Sequence, residues 1–551
     1  MSKTLRSGFY QINLFDIDSS DEETNVQKYR LPNKEIKISE SQLKKLLNYK
    51  LDDYTDDVEI LGLEVTWDII CEFVLNNYAR NKFLTIENFG ELYEIGLAIQ
   101  DKQQKKVNGQ YYTPDDVARI MSNWLLDCEG YNICDVACGT GKLILTYLDL
   151  IGFDKSRELI SQGRIYLYDF DRVALNICRT AIAIKYGLDL LDNIKVVYCD
   201  FLDRNIVLPN NCKVISNPPY ASISKFELTW EETPVLENTK ELYSAFMEKI
   251  FLQANSVVII TPFSFISGSK FYPLREVMCS KGIGFIVSFD NVPGNIFCGR
   301  KHGIFNTNGA NSVRASITVF NKSNELHGFR TTHLIRFKNI ERKKLLDNKV
   351  LEGMLSKEYQ VVSKSNPKFK KVDVKLLDIF NSWIKKSDQT LKMLTSDNGK
   401  FIIAMPNTCR YFTTASNEKM NRNGQIILQF DDIDKFSYTY CMINSSFAYW
   451  HWRIYDGGIT YPRSLLNEMP VFFDKLTSKD KEFFRKITEE MLQKMSKFKV
   501  TKNNVGVQEN VKFPRKYRDM INERMLVILD IKESTKIFDI VHSNMALEVN
   551  V

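Results

Sequence analysis

The chain has 551 residues, 44% apolar and 26% charged, with a net charge of +6. This is the balance of a globular protein with room for roughly three domains. No apolar run reaches the ~18 residues that would suggest a helical membrane span, and Met1–Ser7 leads into no apolar stretch of a secretory signal, so a cytoplasmic protein is the expectation. The eleven cysteines form no CxxC pair, so they read as reduced thiols and no metal site is expected. Charge is uneven: residues 331–551 carry 38 Lys and Arg against 26 Asp and Glu, a net +12, which leaves −6 for residues 1–330. A basic C-terminal part fits a polyanion partner docking there.

In chain order, residues 1–40 mix aromatics with the acidic stretch Asp16–Glu23 and read as a loosely ordered lead-in. From about Ser41 to Lys106 apolar residues recur at three-to-four spacing, as in Trp67–Leu75, predicting a helical N-terminal domain over 1–106. From 107 to 330 the pattern alternates. Strands are predicted at Asn132–Ala137, Ile165–Phe170, Ile194–Cys199, Lys213–Ser216, Val257–Thr261, Gly284–Phe289 and Ala315–Phe320. Helices are predicted at Lys142–Leu150, Arg172–Tyr186, Glu241–Leu252 and Phe271–Cys279. Such alternation predicts an α/β domain with a mostly parallel, doubly wound sheet, whose ligands bind at the carboxyl ends of the strands. Residues 331–551 mix Lys-rich helical stretches with aromatic segments, Phe436–Tyr440 and Phe447–Trp452, and 474–500 reads as a charged amphipathic helix.

Chemistry gathers at the predicted strand ends. The first strand runs into Asp135-Val136-Ala137-Cys138-Gly139-Thr140-Gly141, where glycines let the backbone turn tightly and approach a ligand. The second ends at Asp169-Phe170, where a carboxylate can accept from a ribose diol. The third ends at Cys199-Asp200-Phe201, where a carboxylate and an aromatic can flank a purine. The fourth ends at Asn217-Pro218-Pro219-Tyr220. An Asn side-chain oxygen and a proline carbonyl can hold an exocyclic amine by its two protons, and the Tyr can stack on the ring that carries it. Any one of these turns has a bland structural reading; four in sequence describe methyl transfer to an amino nitrogen.

In content and order these motifs resemble the amino-group DNA methyltransferases of the S-adenosylmethionine-dependent class I (Rossmann-like) fold. The likeness is greatest to the adenine-N6 group, which includes type I modification subunits and stand-alone modification enzymes. Gly109-Gln110-Tyr111-Tyr112-Thr113-Pro114 is similar to a family element before the first strand. Val136 departs from the family's proline.

The resemblance implies that Tyr112, Thr113, Pro114, Asp135, Ala137, Gly139, Gly141, Asp169, Phe170, Asp200 and Phe201 bind S-adenosylmethionine. It implies that Asn217, Pro218, Pro219 and Tyr220 form the catalytic loop, with Tyr220 and Phe297 (alternatively Phe305) stacking on a target base flipped from duplex DNA. It also implies an α+β target-recognition region at 331–551, where Asn444–Phe447 and Thr460–Arg463 look like recognition-region elements. Double-stranded DNA is the expected partner, with a separate restriction endonuclease or specificity subunit as a further one. The alternatives are a type I-like subunit that borrows its specificity, or a methyltransferase acting on RNA or protein glutamine.

Overall fold

The computed structural model describes residues 113–223, 233–298, 313–504 and 506–547, together with an antiparallel strand pair, Val26–Leu31 and Lys34–Ser39. That pair lies in the stretch read as a lead-in. The helical domain expected over 1–106 otherwise falls outside the described residues, as do Tyr112 and Phe305.

Eight strands form the central sheet: β1 (Asn132–Val136), β2 (Ile165–Asp169), β3 (Lys195–Tyr198), β4 (Cys212–Ser216), β5 (Ser256–Pro262), β6 (Gly282–Phe289), β7 (Ala315–Lys322) and β8 (Gly328–Ile335). Their spatial order is β8-β6-β7-β5-β4-β1-β2-β3. β7 runs antiparallel to β5 and β6, and the remaining neighbours pair in parallel.

The pleat explains the double winding. Ile133, Ile215, Val258 and Ile260 point to one apolar layer, with α1 (Asp115–Leu126), α2 (Lys142–Ile151), α3 (Phe153–Ser161) and α4 (Arg172–Tyr186). Cys134, Val136, Val214, Val257 and Ile259 point to the other, with α5 (Leu242–Gln253) and α6 (Tyr272–Lys281). Each such residue, fully buried, contributes roughly 1.5–3 kcal/mol, so alternation on both faces fixes register as well as fold.

All seven predicted strands and all four predicted helices are present, shifted by a few residues at most. β8 was not foreseen. It adds to the sheet edge beside β6 and carries the sheet past the boundary expected at 330.

Beyond it, a third apolar cluster runs from Val372 to Val541. It packs the hairpin Phe401–Pro406/Gln425–Phe430 with α7 (Ile433–Asn444), α8 (Ser446–Tyr455), α9 (Ser478–Gln493) and α10 (Arg515–Ile528). The aromatic segments 436–440 and 447–452 are the buried faces of α7 and α8.

Candidate active site

The carboxyl ends of β1, β2 and β4 lie side by side, because Val136 pairs with both Tyr168 and Ser216. The chain after each strand therefore enters one cleft. Ala137, Gly139 and Gly141 hold φ values of 58°, 52° and 91°, so the turn after β1 is left-handed at three of five positions. A side chain on Gly141 would run into the Cys178 sulfur of α4, which explains the glycine by close packing. Gly139 differs: nothing lies within 4 Å of where a Cβ would sit, so its glycine leaves open space above the turn.

Two carboxylates organise this turn. Asp135 is fully buried, and its Oδ2 accepts from the Ile144 backbone N–H at 3.1 Å, which ties the strand end to the start of α2. Burial drives its pKa well up, with the nearby Asp169 adding to the effect against the Ile144 bond. Sequence reasoning made Asp135 a cofactor contact; its place is beneath the turn, shaping it from inside the core.

Asp169 stands at the β2 end. Its Oδ2 accepts from Gly139 N at 2.7 Å and its Oδ1 from Asp171 N at 2.8 Å. Burial raises its pKa to about 6, while those backbone donors pull the other way. Phe170 beside it is 59% exposed, a large apolar ring left at the cleft.

At the β3 end Asp200 is exposed and Phe201 is not. Phe201 packs between Tyr168 and Phe246, with ring centroids 5.8 and 5.3 Å away. The purine-flanking surface expected of Phe201 is thus turned inward, and Phe170 is the aromatic that faces out.

The β4 end carries the observation that matters most. Asn217 Nδ2 donates to Thr113 Oγ1 at 3.0 Å, joining two segments 104 residues apart. Thr113 is buried at 5% exposure, and Pro114 leads straight into α1, whose Ala118 N–H bonds the Pro114 carbonyl at 2.9 Å. With Nδ2 on Thr113, the amide oxygen of Asn217 is the end that can accept from an amine. Asp115 pairs with Lys142 at the head of α2, so the segment after Thr113-Pro114 is tied to the helix that follows the glycine turn.

Tyr220 is half-buried. Its hydroxyl donates to the Ile260 carbonyl at 3.0 Å, and its ring meets Tyr243 and Phe297 edge-on at 6.4 and 6.0 Å. Phe297 has no exposed surface. The second stacking aromatic expected from the sequence is therefore a wall behind Tyr220 in this conformation. Of the recognition-like elements of the C-terminal part, Asn444–Phe447 is buried, whereas Thr460–Arg463 buries only Tyr461 and leaves Thr460 and Arg463 exposed. Asn444 Oδ1 accepts from Ala415 N at 3.0 Å, and the Tyr461 hydroxyl bonds His451 Nδ1 at 2.7 Å. These hold α7 and α8 to their loops.

Sequence reasoning missed Asp115, Lys142 and Phe170's exposure relative to Phe201. Asp115 directly follows the Thr113-Pro114 element, which was the available signal.

The family described as N-6 DNA Methylase matches residues 84–400, more than half of the chain. Among curated proteins, the type I restriction enzyme MpnII methylase subunit of Mycoplasma pneumoniae is 26% identical over 161 residues, 27% of either chain. The MjaIX methylase subunit of Methanocaldococcus jannaschii is 27% identical over 155 residues, 26% of either chain. The match thus spans about a quarter of those relatives' length. Among solved structures, the DrdV–DNA complex aligns at 12% identity and TM-score 0.46, covering 78% of this chain and 61% of that one.

Proposed function

The chain belongs to the N-6 DNA methylase family, and on that premise we propose that it methylates adenine N6 in duplex DNA as the modification enzyme of a restriction-modification system. The observation that carries this reading is the Asn217–Thr113 bond, which brings the amine-binding loop and the Thr-Pro element to one point.

The residues at the cleft fit S-adenosylmethionine. Gly139 leaves room over a tight turn, Asp169 offers a carboxylate at a strand end, and Phe170 offers an exposed ring. When bound, that molecule supplies an electrophilic sulfonium methyl. Asp169 and Asp200 would hold its polar groups, and Phe170 its adenine.

The chain's own work is on the target base. An adenine N6 lone pair is delocalised into the ring and is weakly nucleophilic. Acceptance of its two protons by the Asn217 amide oxygen and the Pro218 carbonyl favours a pyramidal nitrogen and directs its lone pair. Catalysis is then positioning and electrostatics, with no covalent enzyme intermediate. Tyr220 supplies a ring for the extruded base, offsetting the few kcal/mol of unstacking.

The basic C-terminal part, net +12, supports contact with DNA phosphates. The names of the two curated relatives support a second reading, a modification subunit that takes its specificity from another chain. Single-molecule sequencing of DNA from cells expressing this chain alone tests both. Methylated adenines in one sequence context support the stand-alone enzyme. Their appearance only with a co-expressed specificity subunit supports the second reading, and unmodified DNA in both cases contradicts the proposal.

A further inference from the structure

Arg342 lies far in sequence from every motif above, yet its guanidinium bonds two segments that reach the site. Its Nε and Nη2 donate to the Asp116 carboxylate at 2.6 and 2.9 Å, a two-point grip on the first turn of α1. The same guanidinium donates through Nη1 to the Asn295 carbonyl at 2.8 Å and through Nη2 to the Ile296 carbonyl at 2.6 Å. Arg342 is only 7% exposed and its bonds to the two carbonyls are buried, while the Asp116 side chain keeps 36% of its surface in water.

The two partners belong to different segments of the site. Asp116 is three residues from Thr113, which holds the Asn217 amide. Asn295 and Ile296 immediately precede Phe297, whose ring backs Tyr220. The neighbouring Glu341 is engaged as well: its Oε2 accepts from Ala546 N at 3.1 Å and its Oε1 from Leu547 N at 2.8 Å. The Glu341–Arg342 pair is thereby braced by the C-terminal segment.

We infer that Arg342 is a positioning residue that couples the cofactor side of the cleft to the target-base side, acting through Asp116 and through the 295–297 turn. This rests on the methyltransferase reading above. An ordered Thr113–Asp116 segment favours an ordered 295–297 turn, because one planar group is bonded to both. Lysine cannot replace it, since a single ammonium lacks the fork that spans a carboxylate and two carbonyls.

The test is hydrogen exchange on the purified full chain, with sinefungin as the cofactor analogue. In the wild type, sinefungin protects peptides over 135–145 and, through Arg342, also slows exchange over 290–298 by about tenfold. In Arg342→Lys the protection over 135–145 persists and that over 290–298 is lost. Methyl transfer by this variant falls about 10- to 100-fold in kcat with KM for the cofactor within threefold. Asp116→Asn, which keeps the side chain but weakens the grip, gives the same pattern if the lysine variant does not fold. Equal protection over 290–298 in wild type and a folded variant overturns the coupling, as does its absence in the wild type. A wild-type chain that does not bind sinefungin at all overturns the parent reading instead.

Discussion

Asp169 shows how one carboxylate serves two opposed demands. Burial favours its neutral form and raises its pKa to about 6, above the ordinary 3.8. The folded chain therefore binds this proton more readily than the unfolded chain. Its contribution to stability is present below pH 3.8 and disappears as pH rises through about 6. A ribose diol asks for the opposite, because the ionised carboxylate is the better acceptor. Cofactor affinity is expected to weaken below pH 6, by up to about tenfold per unit, and Asp169→Asn should flatten that dependence. Calorimetric titration with the cofactor between pH 5 and 8 measures it. A wild-type affinity indifferent to pH would show that this carboxylate is not the acceptor.

At the residue scale, legibility in the sequence depends on how local the chemistry is. Asn217 and Thr113 could be picked out as candidates because each stands in a short motif whose chemistry is local, and the fold brings the two together. The inward turn of Phe201 could not, because it depends on Tyr168 and Phe246 closing around it from other elements.

Elements were more legible than individual contacts. The buried strands β1, β4 and β5 are short apolar runs bounded by turn residues, and α4 has a clean apolar face, so periodicity located them. β8 escaped because its segment, Gly328–Ile335, carries Arg330 and His333 among its apolar residues and reads as the start of something new. It has a place in the sheet only because β6 offers it a free parallel edge. Arg342 escaped for a related reason: a Lys/Arg-rich stretch reads as solvated surface, and only the fold turns this one arginine inward. Likewise the aromatics of α7 and α8 could be core or DNA-facing on spacing alone; packing against α9 and α10 decides for core.

At the scale of the molecule, Asp290 joins the sheet to the C-terminal part. It follows β6, is 2% exposed, and sits among three arginines: Arg314 at 2.9 Å, Arg336 at 3.1 Å and Arg453 of α8 at 2.6 Å. Burial alone would raise its pKa, but Arg453, Arg314 and Arg336 outweigh that and bring it down to about 2. With a depressed folded pKa, its stabilisation is present above about pH 4 and lost as pH falls toward 2. Asp290→Asn leaves two buried cations, Arg336 and Arg453, and the half-buried Arg314 without this counter-charge and is expected to cost about 3–5 kcal/mol. Denaturant melts of the two proteins at pH 7 check this, and superimposable curves would mean that the cluster is not a fastening.

The proposed methyl transfer depends on Asn217 accepting from an adenine amine. The purified chain, given labelled S-adenosylmethionine and unmodified duplex DNA, RNA or peptide substrates, measures that most directly when the product is digested and its methylated position identified. Label at adenine N6 of DNA is predicted, falling at least about a thousandfold in Asn217→Ala while cofactor affinity stays within about threefold. Label on RNA or protein instead, or full transfer by Asn217→Ala, would contradict it.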